Sequence, residues 1–213
     1  MTSLSVPERR TVRIVFLGAA GVGKSALIGR FLHERFEPRH ARTVEELHVL
    51  ECELEGARVR LEILDTSGSY AFPAMRALRI RAADALAIVY SARDEESLRE
   101  ARRLRDEITE LKGEAFDAVA VVENKADLVS RSRTETACTM RAVEEEWSAG
   151  FVSASARTGH NVVSVFRELL ARAQLPSRVS PALRRRTEIM DRDCGATSCK
   201  KAPMRKNKSC VVS

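Results

Sequence analysis

The sequence predicts an α/β fold built on a largely parallel sheet, and three observations carry that expectation. Short, unalternated runs rich in Val and Ile, "VRIVFLG" (12–18), "ALAIVYS" (85–91), "AVAVVEN" (118–124) and "GFVSAS" (150–155), have the composition of strands buried on both faces. Between them, apolar residues recur at three- and four-residue steps, as in Leu98, Ala101, Leu104, Ile108 and Leu111, and again in Val162, Val165, Phe166, Leu169, Leu170 and Ala173. That spacing is helical, and strand-helix alternation defines the class. The third observation is a local exception. "LHVLECELEGARVRLEIL" (47–64) alternates with period two around Glu55-Gly56, which predicts an antiparallel hairpin whose outer strand lies at a sheet edge.

A chain of 213 residues, 44 % hydrophobic and 31 % charged, has the size and balance of one well-buried globular domain with some length to spare. No apolar run approaches the ~18 residues needed to cross a bilayer. "MTSLSVPERRTVR" lacks the apolar core of a secretory signal, so the expected location is the cytosol or its membranes, with the five cysteines reduced. From Ser177 onward, ten Lys or Arg stand against three acidic residues, whereas the remainder is close to neutral. The expected division is an N-terminal extension (1–10), a folded domain (11–176) and a flexible basic tail (177–213). Such a tail suits an anionic membrane, an import receptor or RNA; a nucleic-acid-binding domain would spread its charge over a folded face, so no nucleic-acid partner is expected of the body.

The first strand runs into Gly18-Ala19-Ala20-Gly21-Val22-Gly23-Lys24-Ser25, which fits G-x-x-x-x-G-K-[ST] and lies between a buried strand and an amphipathic helix. Small residues there let successive backbone N–H groups curl around phosphate oxygens. The helix N-terminus adds positive potential, Lys24 reaches the outer phosphates and Ser25 can ligate Mg²⁺. The glycine order is wrong for a dinucleotide fingerprint. The alternative is a ligand-free glycine-rich turn. "ENKAD" (123–127) follows the third parallel strand, and "SAS" (153–155) follows the fourth, so both can face the same crevice. Asp127 offers acceptors suited to the N1–H and 2-amino donors of guanine.

With "RTVEE" (42–46) and "DTSGSYAFPAMR" (65–76) in order between them, these motifs resemble those of the Ras family of small GTPases over roughly residues 11–175. The "SGxxxFPAMR" form looks like the Di-Ras and Rhes side of that family, and "FLGAAGVGKSALI" with "RTVEELH" is similar to the Ras-dva group. The resemblance implies a phosphate-loop, Ras-like fold: a mostly parallel six-stranded sheet with one antiparallel edge strand and helices on both faces. It also implies GTP/GDP and Mg²⁺ as cofactors, with Gly18, Ala19, Ala20, Gly21, Val22, Gly23, Lys24, Ser25 and Ala26 around the phosphates. Ser25, Thr43 and Asp65 would hold the metal, and Gly68 would offer its N–H to the γ-phosphate. Phe36 would lie against guanine, a core aromatic being the alternative. Asn124, Lys125, Asp127 and Ser153 would read and support the base, with Ala154 donating its N–H to the guanine oxygen. Residues 38–48 and 66–80 would be switches that meet effectors and an exchange factor.

Three departures qualify the resemblance. The family usually has glycine at Ala20, glutamine at Ser69 and lysine at Ser155. Hydrolysis needs a water held in line, and Gly68, Ser69 and Lys24 are the candidate catalytic positions, but Ser69 is too short to hold it as glutamine does. The Ala20 methyl would intrude where glutamine and an activator's arginine pack, and losing such an arginine costs about 10³–10⁵ in rate, or ~4–7 kcal/mol. The expectation is slow hydrolysis, a mainly GTP-loaded resting form and poor response to Ras-type activators. Tyr70 or a dedicated activator's residue positioning the water is the alternative. Ser155 would put affinity or exchange in doubt. His40 stands where tyrosine often covers the phosphates, or is a surface histidine.

Cys210-Val211-Val212-Ser213 has the C-a-a-X pattern for farnesylation, with Lys200, Lys201, Arg205, Lys206 and Lys208 as a second signal for an anionic cytoplasmic leaflet of the plasma membrane. Cys194 and Cys199 are either palmitoylation sites or plain cysteines, and Cys52 and Cys138 are expected to pack. Two readings from other classes remain: a constitutively GTP-bound scaffold, favoured by Ala20 and Ser69, and an ATP-using kinase, disfavoured by Asp127.

Overall fold

The computed structural model describes residues 10–37, 44–54, 57–68, 73–129 and 133–174. In chain order they form β1 (Arg10–Leu17), α1 (Lys24–His33), β2 (Glu46–Leu54), β3 (Ala57–Asp65), α2 (Pro73–Ala82), β4 (Ala85–Ser91), α3 (Glu95–Lys112), β5 (Val119–Asn124), a 3₁₀ turn (Ala126–Leu128), α4 (Arg133–Trp147), β6 (Gly150–Ser153) and α5 (Val162–Arg172). The strands make one six-stranded sheet in the order β2-β3-β1-β4-β5-β6. Only the β2–β3 pair is antiparallel. The hairpin expected over 47–64 is therefore present, and its outer strand is the sheet edge.

Period-two geometry sends alternate residues of each strand to opposite faces, and both faces are apolar because both are covered. On one side Ile14, Phe16, Ala87, Val89 and Val122 meet Leu27 and Ile28 of α1 and Val165, Phe166 and Leu169 of α5. There Phe31 stacks on Phe166 with ring centroids 3.6 Å apart. On the other side Val15, Leu17, Leu86, Ile88 and Val121 meet Ile80 of α2, Ala101, Leu104 and Ile108 of α3, and Val143 of α4. α3 starts where Asp94 accepts hydrogen bonds from the N–H groups of Glu96 and Ser97, and ends at Gly113, whose φ of 85° few other residues adopt cheaply. The connection after β1 thus leads to a helix on one face, and that after β4 to a helix on the other. A crevice opens between the two strand ends, where α/β sheets bind ligands.

Cys138 is exposed on α4, not packed as expected. That helix turns few side chains inward, and position 138 is on its solvent side. Thr43, His40, Ser69, Tyr70, Glu55-Gly56 and the whole segment from 175, with Cys194, Cys199 and Cys210, lie outside the described residues.

Candidate nucleotide site

The loop after β1 is shaped by its glycines. Gly18 has φ 139°, and a Cβ there would strike the Val89 carbonyl of β4, so the chain can leave β1 tight against its neighbour only without a side chain. Gly23 caps α1 at φ 99° and has no side chain with which to accept from the helix amides. Lys24 begins the helix and folds back over the loop: its Nζ donates to Gly18 O at 2.8 Å and Ala19 O at 3.0 Å. Only 5 % of Lys24 is exposed. Burial lowers its pKa to about 8, opposed by the negative charge of Asp65. A glycine-rich turn at a helix N-terminus, with one desolvated ammonium folded over it, can hold polyphosphate oxygens.

Asp65, the last residue of β3, is 1 % exposed, and its Oδ1 has no hydrogen-bond partner among the described residues. Burial raises its pKa, while a hydrogen bond from Ser25 and the charge of Lys24 act the other way. An orphaned, buried carboxylate oxygen beside a serine hydroxyl is the donor set a hard divalent cation takes, so these residues fit Mg²⁺. Ser25 and Asp65 would hold the cation, which would supply positive charge against the phosphates of a bound nucleotide. Gly68 lies against the Ala19 and Ala20 backbone, so closely that a Cβ would overlap it. The segment after β3 and the phosphate loop therefore touch at the residue that departs from the family, and Ala20 is exposed there.

The loop after β5 is stitched to the phosphate loop. Asn124 Nδ2 donates to Val22 O at 2.9 Å, and Lys125, at φ 62°, donates through Nζ to Gly21 O at 2.7 Å. Ser155 Oγ donates to Asp127 Oδ1 at 2.6 Å, and the Ala156 N–H donates to Asn124 Oδ1 at 3.1 Å. These contacts correct two readings of the sequence. The Ala154 N–H is already donated to Glu123 O at 2.8 Å, inside a residue with no exposed surface, so it has no free direction toward a base. Ser153 turns its hydroxyl away from the loop, to Glu123 Oε2 at 2.9 Å. The Ser-Ala pair that contacts Asp127 and Asn124 is two residues later, Ser155-Ala156, followed by Arg157, whose Nη1 stands 3.8 Å from Asp127 Oδ2. The basic side chain beside Asp127 is thus at 157, and not at 155, where the resemblance expects the family's lysine.

Phe36 is half-buried and packs against the core cluster on the α1 and α5 side. Ala26 is partly buried on α1 against the same cluster, behind Ser25.

A parallel sheet switching direction at β1, a phosphate-cradling loop with a buried lysine and a carboxylate–serine pair beneath it define a phosphate-loop GTPase fold. The Ras family model matches residues 13–175, and the chain belongs to that family. It is 36 % identical over 196 residues to human GTP-binding protein Rhes, covering 88 % of this chain and 74 % of that protein. It is 36 % identical over 167 residues to GTP-binding protein Di-Ras2 of Pongo abelii, covering 78 % and 83 %, and 35 % identical over 167 residues to human Di-Ras1, again 78 % and 83 %. It is a small GTPase of a divergent branch near Di-Ras and Rhes, binding GTP and GDP with Mg²⁺ and hydrolysing GTP to GDP and phosphate.

Proposed function

We propose that this chain is a membrane-anchored Ras-type switch that hydrolyses GTP slowly and rests mainly GTP-loaded. The observation that carries the reading is the pair Ala20 and Ser69, at the two positions where a catalytic water and an activator's arginine would be managed. Support comes from the close approach of Gly68 to the Ala19–Ala20 backbone, which puts exposed Ala20 beside the residue whose N–H would face the γ-phosphate. Ser69 reaches too short a distance to orient water as glutamine does, and loss of an arginine finger removes about 10³–10⁵ in rate. Single-turnover hydrolysis of preloaded GTP tests this. Hydrolysis well below that of glutamine-bearing relatives, with little acceleration by a Ras activating protein, is the expected result. Normal turnover or a large acceleration refutes it.

Within this reading Lys24 and the amides of 18–26 hold the phosphates, and Ser25, Asp65 and Thr43 the metal. Asn124, Lys125 and Asp127 read guanine, and the backbone donor moves from Ala154 to Ala156. Effectors and an exchange factor meet residues 38–48 and 66–80. There Val44 is 84 % exposed and Leu78 60 % exposed, while Glu45 is bridged to Arg79 of α2 at 2.8 Å. Apolar side chains in the open beside an edge strand suit a partner that covers them. Cys210 is the lipid acceptor and the basic tail its electrostatic partner at the cytoplasmic leaflet. A second reading, a GTP-bound scaffold with negligible turnover, draws on the same Ala20 and Ser69; the Ser25–Asp65 pair favours the working switch. Nucleotide analysis of the purified protein together with measured GTP hydrolysis separates the two, since only the switch turns its nucleotide over.

A further inference from the structure

One buried polar row is not used by the phosphate or metal contacts. Tyr90 of β4, Glu123 of β5 and Ser153 of β6 are register partners across three adjacent strands. Tyr90 Oη donates to Glu123 Oε1 at 3.1 Å, and Ser153 Oγ donates to Glu123 Oε2 at 2.9 Å. Glu123 is 1 % exposed and Tyr90 2 %. They sit on the face shared with Ile88, Val121 and Phe151, where an apolar side chain would avoid the cost of burying a carboxylate.

The position of the row gives that cost a purpose. Each member stands at or next to the end of its strand, and Glu123 and Ser153 stand immediately before connections that belong to the site. The same Glu123 accepts the Ala154 N–H through its main-chain oxygen, and the next carbonyl, Asn124 O, accepts the Ala92 N–H, both at 2.8 Å. Side chain and backbone at 123–124 thus hold the ends of β4 and β6 to β5. Beyond those ends lie Asn124 and Asp127 on one loop, and Ser155 and Ala156, which brace them, on the other. If the clamp opens, Ser155 and Ala156 shift relative to Asp127 and Asn124, while Asn124 and Lys125 still tie the loop after β5 to Val22 and Gly21 of the loop after β1.

We propose that Glu123, through Tyr90 and Ser153, is a positioning residue for the guanine base and sets how long and how selectively the nucleotide is held. This rests on the guanine-binding reading above. It acts on the base and not on the phosphates, which makes it separable from a general loss of structure. Asp127 is the group that reads the 2-amino group of guanine, and inosine lacks that amine.

The test uses the full chain loaded with fluorescent GDP or fluorescent IDP and chased with unlabelled nucleotide, for the unsubstituted protein and for Glu123→Ala, Glu123→Gln, Tyr90→Phe and Ser153→Ala. Loss of hydrogen bonds to a charged group predicts GDP release about tenfold faster or more in Glu123→Ala. The two single-hydroxyl variants fall between. IDP release, already lacking the amine contact, accelerates less, so the preference for GDP over IDP narrows. Glu123→Gln, which can still bond both hydroxyls, recovers most of the retention. Thermal melting identifies a variant that does not fold, and the Tyr90→Phe/Ser153→Ala double variant then carries the comparison. Unchanged GDP release in folded variants, or equal acceleration of GDP and IDP, overturns the proposal while the guanine reading stands. A chain that retains no guanine nucleotide before substitution overturns both.

Discussion

At the scale of single residues, Lys24 supplies a prediction whose sign follows from its surroundings. Burial brings its pKa from 10.5 to about 8 in the folded protein, with Asp65 opposing. Because the folded value lies below the unfolded one, the nucleotide-free fold holds fewer protons than the unfolded chain between pH 8 and 10.5, and it gains stability as pH rises through that window. Phosphates favour the charged ammonium, so nucleotide binding takes up little proton at pH 7 and approaches one at pH 9. Calorimetry in two buffers of unequal ionisation heat reads this directly. Absence of uptake at pH 9, or its persistence in Lys24→Gln, contradicts the assignment. Ser155 gives a second case. Its 2.6 Å bond braces Asp127, and hydrogen bonds to charged groups contribute about 1.5–3 kcal/mol, so Ser155→Ala speeds GDP release by roughly 10- to 100-fold. The sequence alone cannot choose this serine. Ser153-Ala154-Ser155-Ala156 repeats the same dipeptide, and only the hydrogen bonds of Ala154 to β5 and of Ser155 to Asp127 decide which copy works.

Among the elements, α2 is weakly anchored by apolar packing, since Ile80 is its one buried residue. Two polar ties to α3 do the rest. Arg76 Nε donates to both carboxylate oxygens of Glu107, at 3.1 and 2.9 Å, and Lys112 Nζ caps the C-terminal end of α2 through Arg81 O at 2.9 Å and Ala83 O at 2.6 Å. A helix held this way is a local unit that opens below the global unfolding free energy. Lys112→Ala and Glu107→Ala therefore cost about 1 kcal/mol each and raise amide exchange selectively over 73–82. Exchange that rises equally in β4 and β5 would show that α2 is not separately hinged. The same sparse anchoring explains what the sequence hid. α3 and α5 announce themselves through full apolar stripes, whereas α2, with its single inward Ile80, and α4, a run of Thr, Glu and Ala with Val143 inward, show no comparable stripe. The strands were legible because burial on both faces forces unbroken apolar runs, and the hairpin because one of its strands is an edge.

For the whole molecule, the division of charge matters more than its total of +6. Alternation of strand and helix gives the class but not α2, α4 or the strand order; the structure puts β1 beside β4 at the switch point, and the phosphate loop, a strand-to-helix turn after β1, lies at the crevice between them. The body is nearly neutral while the basic residues collect after 176, so the body should add little to attraction by an anionic surface. One farnesyl group gives marginal, reversible anchoring, and each basic residue near an anionic leaflet adds about 1 kcal/mol. Membrane capture should therefore need both signals and be sensitive to salt. Farnesylated full-length protein should bind phosphatidylserine-containing vesicles at low ionic strength and leave them as salt shortens the screening length to ~3 Å near 1 M. Replacing Lys200, Lys201, Arg205, Lys206 and Lys208 by glutamine should abolish the salt dependence together with most of the binding, and Cys210→Ser should remove stable binding at every salt concentration. Strong, salt-independent binding by the glutamine variant would place the second signal elsewhere, at Cys194 or Cys199 through acylation, because a second acyl chain supplies the same free energy without charge.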